Sequence, residues 1–263
     1  MERVKSFEQY REIVREGRNL PNSYSNCYFL PAVARDKIER GVLYVMRIQG
    51  GILLFEREAS FFRCCYFLSL GQPFELLHLP MPAVAEFVFQ ENMTEAQDAQ
   101  AHCLQQMGFR LGRESGRMYL DAGRVFAEET GPAETAVEAD IDGVFAIIEE
   151  NFDPLYAYIP GRDDLLAAIR EKRVFVIRKN GVPAAVLHAE TQKGLASIRH
   201  LAVSKNCRTL GCGRRLVSMY HGAFQNEVRG FFHWVDKANT AAIRLYTKFG
   251  YSFDGRYAYE YII

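Results

Sequence analysis

The chain has 263 residues, about half of them apolar and a quarter charged, which is long for one core and comfortable for two ordinary domains. Its 32 basic and 32 acidic residues cancel, which argues against a general nucleic-acid or anionic-membrane binder, since both need a basic excess. The six cysteines form no CxxC pair, no apolar run nears the ~18 residues of a membrane span, and the N-terminal stretch has no apolar leader core; neither disulfides, metal nor a membrane is expected, and a reducing cytoplasm is the default.

The first element is a short helix. Ser6 is its N-cap with Gln9 three residues on, Phe7, Tyr10, Ile13 and Val14 make one apolar face, and Gly17 is expected to stop it. A polar, proline-containing stretch follows to about Asp36. Three β-rich runs come next, VLYVMRI, ILLFERE and FFRCCYFLSL, the first two joined at Gln49-Gly50-Gly51. AVAEFVF is a fourth strand, the stretch from Thr94 to Gly108 a helix, and an extended piece near Gly116 to Leu120 closes the half.

After the turn-rich AEETGPAE the pattern restarts. DIDGVFAIIEENF and GRDDLLAAIREK are helical. RVFVIRK and PAAVLHAE are strands joined by an Asn180-Gly181 hairpin turn. LASIRHLAV is a third strand, CGRRLVSMYHGAF a helix, FFHWVDK a fourth strand, TAAIRLYTKFG a helix, and SFDGRYAYEYII one or two closing strands. VMRIQGG in the first half aligns with VIRKNGV in the second, and LQQMGFRLGR with YTKFGYSFDGR. We read an internal duplication with a decayed first copy, and expect domains at 1–125 and 126–263.

The sharpest feature is the strand LASIRHLAV running through SKNC into Arg208-Thr209-Leu210-Gly211-Cys212-Gly213 and an amphipathic helix. Such a turn presents unpaired backbone amides along the helix axis, where the macrodipole favours an anion. Gly211 and Gly213 let that backbone approach a phosphate, and Arg208 and Arg214 can add charge-assisted hydrogen bonds. The pattern is neither a Walker A loop, lacking Lys-Ser/Thr, nor the dinucleotide fingerprint.

The string LAVSKNCRTLGCGRRL resembles the acetyl-CoA signature of the GNAT superfamily of N-acetyltransferases. A second family signature is matched in order by Asn239, Ala242, Leu245, Tyr246, Gly250 and Tyr251. The resemblance covers the chain from about Ala133 onward, and the first half faintly. It implies an α/β fold with a mixed, mostly antiparallel sheet, helices on both faces and splayed central parallel strands, here in tandem with a degenerate first copy. It implies an acetyl-CoA-dependent N-acetyltransferase using acetyl-CoA or another short acyl-CoA as cosubstrate and no metal.

By the same resemblance, Leu201, Ala202 and Val203 lie along the pantetheine arm, the amides of Thr209, Leu210, Gly211, Cys212, Gly213 and Arg214 hold the pyrophosphate, and Arg208 joins them in binding the cosubstrate. Asn239 touches the cosubstrate beyond the thioester, and the Tyr246 hydroxyl is the general acid that protonates the departing thiolate. The first-half counterpart of Tyr246 is Leu104, with no RxxGxG before it, so that half is expected to be catalytically silent. The general base stays open. Strand alternation puts Ser197, Arg199 and Leu201 on one face and Ile198, His200 and Ala202 on the other. His200, His188, Glu190 or no base at all are the alternatives.

Asp153, Tyr156 and Tyr158, with Asp163 and Asp164, are candidates for the acceptor side; packing of that loop is the competing reading. His233, beside Trp234, is placed on the far side of the cleft with no role. The expected partner is a small-molecule or peptide amine, the expected assembly a monomer or homodimer. A CoA-binding sensor without turnover is the alternative function, and an aminoacyl-tRNA-dependent relative a third, disfavoured by the balanced charge.

Overall fold

The computed structural model describes residues 1–27, 29–91, 94–125, 134–208 and 210–263. The chain forms two compact units, Met1–Glu114 together with Arg256–Ile263, and Ser115–Gly255. No helix among the described residues is long and apolar enough to cross a membrane.

Unit 1 starts with β1 (Glu2–Arg3), α1 (Phe7–Arg18), β2 (Ser23–Ser25) and α2 (Pro31–Glu39). Ser6 caps α1 as expected, its hydroxyl accepting from the Gln9 amide at 3.1 Å. Gly17 does not stop α1. It lies inside the helix, and a Cβ there would sit 2.3 Å from the Phe67 ring, so glycine serves close helix–sheet approach. The stretch read as polar connection contains β2 and α2; proline at the first helical position of α2 was the available signal.

The unit continues with β3 (Leu43–Ile48), β4 (Gly51–Arg57), β5 (Phe62–Ser69), β6 (Ala83–Gln90), α3 (Thr94–Gln106) and the start of β7 (Arg110–Asp121). Its sheet runs β1-β3-β4-β5-β6 and is completed by β12 (Ser252–Ile262), the last strand of the chain, with β2 also paired to β5. Both faces are covered. Ile52 and Leu54 of β4 pack in a cluster with Tyr10, Ile13, Ala34 and Ile38 of α1 and α2. Leu53 and Phe55 pack in a cluster with Cys103 and Leu104 of α3 and with Met107 just after it. Burial on both sides is why β4 reads as an unbroken apolar run.

Unit 2 contains α4 (Ile141–Asn151), α5 (Arg162–Arg170), β8 (Val174–Lys179), β9 (Val182–Gln192), β10 (Leu195–Val203), α6 (Cys212–Phe224), β11 (Gly230–Asp236) and α7 (Thr240–Lys248). Its strand order is β7-β11-β10-β9-β8. The Asn180-Gly181 turn has both residues at positive φ, 54° and 81°, as a tight hairpin demands. Val144, Ile148, Leu165 and Ile169 of α4 and α5 cover one face of the sheet. Leu216, Val217, Tyr220 and Tyr246 of α6 and α7 cover the other.

Each unit is therefore a mixed, mostly antiparallel sheet between helices with one parallel pair near its middle, and the order β3-β4-β5-β6 repeats as β8-β9-β10-β11. The boundary expected at 125/126 moves. Residues 115–121 of β7 pair with all of β11, from Asp236↔Ser115 to Gly230↔Asp121. Residues 256–262 of β12 pair with β6. Ladder hydrogen bonds decide membership of a compact unit: unit 1 takes its completing strand from the C-terminal end of the chain, and unit 2 starts at Ser115 within β7.

Candidate active site

The parallel contact of β10 with β11 is short. It joins Leu195, Ala196 and Ser197 to Gly230, Phe231 and Phe232, and then stops. β10 runs on to Val203 with β9 along its other side, through Leu201↔Leu187, Ala202↔Val186 and Val203↔Ala185. From Ile198 onward its β11-side edge has no strand partner among the described residues. An unpaired edge of this kind accepts an extended chain as an added strand.

A β-bulge shapes that edge. The register with β9 shifts between Ile198 and His200, which inverts the side-chain phase for the rest of the strand. Ala196 and Ile198, and after the bulge Leu201 and Val203, all belong to the α6 side. Ala202 belongs to the α4–α5 side. The strict alternation expected from sequence, grouping Leu201 with Ser197 and Arg199, is thus corrected: the extra residue returns Leu201 to the face of Ile198.

After β10 the chain makes one short turn, Lys205–Cys207, and enters α6. Gly211 is the residue before the helix, at φ +75° with no side-chain cap. That left-handed backbone requires glycine; space does not, since a Cβ there would meet nothing within 4 Å. Gly213 is different: its Cβ would lie 3.4 Å from Leu245 on α7. The amides of Cys212, Gly213 and Arg214 occupy the first turn, where an α-helix has no internal acceptors, and no acidic residue competes there. Leu210 and Arg214 are exposed and Cys212 half-buried. The Arg208 guanidinium donates to Asn151 Oδ1 on α4 at 3.2 Å. Thr209 lies outside the described residues.

α7 is started by Asn239, whose Oδ1 accepts from the Ala242 amide at 3.0 Å. Near the helix's end Tyr246 is 5% exposed. Its ring lies 3.6 Å from that of His233, centroid to centroid, and near Tyr251. The sequence reading put His233 on the far side of the cleft, and the structure corrects that: Phe231, His233 and Val235 share the face of β11 that α6 and α7 cover. His221 Nε2 and the Tyr251 hydroxyl are 2.8 Å apart. Both ring nitrogens of His233 and the Tyr220 hydroxyl are buried with no hydrogen-bond partner among the described residues. Burial raises the Tyr246 phenol above its usual range and pushes His233 down to about 3 and His221 to about 4. Tyr246 accordingly keeps its proton at neutral pH, and the imidazoles are neutral.

On the opposite face, His200 Nε2 lies 2.9 Å from the Tyr158 carbonyl, and its Nδ1 3.2 Å from His188 Nδ1. Burial pushes His200 down to about 4 and His188 to about 3, so both rings are neutral. A carbonyl only accepts, so His200 carries its proton on Nε2 and its Nδ1 accepts from His188. The lone pair that a general base needs is thus committed, and the geometry argues against His200 in that role. Glu190 faces Arg199 at 3.5 Å, both part-exposed. In the loop after α4, Asp153 Oδ1 accepts from the Leu155 amide at 2.9 Å, and the Tyr158 hydroxyl donates to Asp164 at 3.2 Å. Asp163 and Asp164 stand in the first turn of α5, where a helix N-terminus favours carboxylates.

Residues 142–251 match the model of the acetyltransferase (GNAT) family. Among solved structures, a GCN5-related N-acetyltransferase from Sphaerobacter thermophilus superposes with a TM-score of 0.55 at 16% identity, over 82% of this chain and 80% of its own. A GNAT-family acetyltransferase from Colwellia psychrerythraea gives 0.54 at 11%, over 100% and 99%. A tandem GNAT protein from the clavulanic acid biosynthesis pathway gives 0.50 at 12%, over 81% and 78%. At these identities the likeness is one of fold. No curated protein matches the chain significantly.

Proposed function

Given that residues 142–251 belong to the GNAT acetyltransferase family, we propose that the chain transfers the acetyl group of acetyl-CoA, or another short acyl group, to a primary amine of a small molecule or peptide. The observation that carries this reading is the free edge of β10 leading directly into an uncapped helix N-terminus at Gly211. An extended pantetheine arm fits the edge at Leu201 to Val203, with Ala202 between them turned into the α4–α5 core. The residues from Arg208 to Arg214 offer backbone amides and guanidinium groups to a diphosphate. Asn239, fixed as the cap of α7, stands ready beyond the thioester.

The neutral amine attacks the thioester carbonyl, a C–N bond forms, the C–S bond breaks, and the thiolate leaves. Tyr246, whose burial keeps it protonated, donates the proton that converts that thiolate to free CoA. The amine proton leaves to water, since His200 has its lone pair engaged, and water returns a proton to the Tyr246 phenolate to close the cycle. That engagement also favours the second reading, a CoA-binding sensor without turnover. One assay separates them: release of free thiol from acetyl-CoA with polyamines, aminoglycosides, amino acids and peptide N-termini as acceptors. Amine-dependent thiol release supports transfer. Tight acetyl-CoA binding with no release for any acceptor class supports the sensor.

A further inference from the structure

Unit 1 holds a groove of about 630 Å³ along α1, floored by Phe7, Tyr10 and Phe29 and edged by Arg11, Arg15 and Arg18. That volume lies in the range of small-molecule sites, roughly 300–1,000 Å³. The floor is aromatic: the rings of Phe7 and Tyr10 stack at 5.8 Å and 27°. The Arg35 guanidinium lies 3.8 Å over the Phe7 ring and adds a further cation beside it. No carboxylate among the described residues lines the groove.

The arginines are not explained by pairing within the helix. Glu8 and Glu12 precede Arg11 and Arg15 by three residues, a spacing at which helix ion pairs form. Neither arginine nor Arg18 has a carboxylate partner among the described residues, and Glu16 is taken by Arg47 at 2.9 Å. Three guanidinium groups thus edge an aromatic floor, of which Phe7 and Phe29 each also carry a cation, Arg35 and Lys37, over the ring. The floor favours a flat apolar body, and the guanidinium forks favour a carboxylate, sulfonate or phosphate.

We propose that this groove binds a small organic anion with a flat aromatic body, its ring on Phe7, Tyr10 and Phe29 and its acid group on Arg11 and Arg15. The site is independent of the acyl-transfer reading, because every residue in it belongs to unit 1. Calorimetric titration of the full chain with 2-naphthoate tests it. One saturable site is expected. Arg11→Ala/Arg15→Ala, both exposed positions, is expected to weaken 2-naphthoate at least tenfold while acetyl-CoA affinity stays unchanged. Inorganic phosphate, which has the charge without the ring, and 2-naphthamide, which has the ring without the charge, are each expected to bind at least tenfold more weakly than 2-naphthoate. Unsaturable naphthoate binding, equal affinity in the double variant, or phosphate binding as tightly as naphthoate would each overturn the proposal.

Discussion

The two units carry the same cleft at two stages of use. In unit 2, β10 and β11 touch for three residues and separate, and the edge beyond is open to an added strand. In unit 1, β5 and β6 touch for three residues, Phe62, Arg63 and Cys64 against Ala83, Val84 and Ala85, and also separate. There the opening is filled by the chain itself. Asn26 accepts from the Tyr66 amide at 2.7 Å and donates to the Cys64 and Glu86 carbonyls at 3.2 and 2.6 Å. Beyond it, β2 pairs with Phe67, Leu68 and Ser69. One side-chain amide and one short strand satisfy the backbone groups that an extended ligand would otherwise meet. Unit 1 also lacks the other half of a cradle, because residues 70–82 form neither helix nor strand, and Leu104 lies buried in its core. A splayed parallel pair is thus a frame, and what lies in the splay decides whether it is a site.

The comparison can be broken in four ways. Tyr246→Phe in unit 2 should lower kcat by roughly 10²–10⁴ while the acetyl-CoA Kd stays constant; steady-state kinetics with calorimetry read both, and an unchanged kcat reduces Tyr246 to packing. Gly211→Asp should weaken acetyl-CoA by roughly a hundredfold or more, since a like charge at an anion's seat costs several kcal/mol. Unchanged calorimetric affinity would remove the phosphates from this turn.

Asn26→Ala should destabilise the protein by about 2 kcal/mol, because it strips partners from three backbone groups at once, as read by urea unfolding. The wild-type chain should take up one acetyl-CoA, and the variant still one. A second equivalent in the variant would show that Asn26 alone blocks unit 1.

Acid sensitivity is expected of unit 2 as well. The buried histidines His188, His200, His221 and His233 all lie in unit 2, with folded values of about 3, 4, 4 and 3, below the ordinary ~6.5. The unfolded chain therefore takes up protons first. Stability is full above about pH 6.5 and falls as pH drops toward 4, by less than about 1 kcal/mol per histidine between pH 7 and 6. Hydrogen exchange at the two pH values should show β8–β11 losing protection before β3–β6.

Local chemistry made much of this legible in the sequence. Ser6 and Gln9 marked the start of α1, Asn180-Gly181 marked the β8–β9 hairpin, and the register of α6 from Cys212 to Phe224 followed from glycine and apolar spacing. These signals act within four or so residues, which is the reach of turns, caps and helix periodicity. The duplication was legible for the same reason, since the Gly hairpins at 50–51 and 180–181 are local.

What tertiary structure alone decided depends on residues far apart in sequence. The bulge that turns Leu201 back toward α6 exists only against β9. The placing of His233 on Tyr246 needs β11 and α7 packed together. The loss of His200's lone pair needs His188 and the Tyr158 carbonyl. The filling of the first cleft by Asn26 joins positions forty and sixty residues apart. No periodicity encodes such meetings. They follow from which strand edges are left unpaired once the sheets form, and from the cost of leaving buried polar groups without partners.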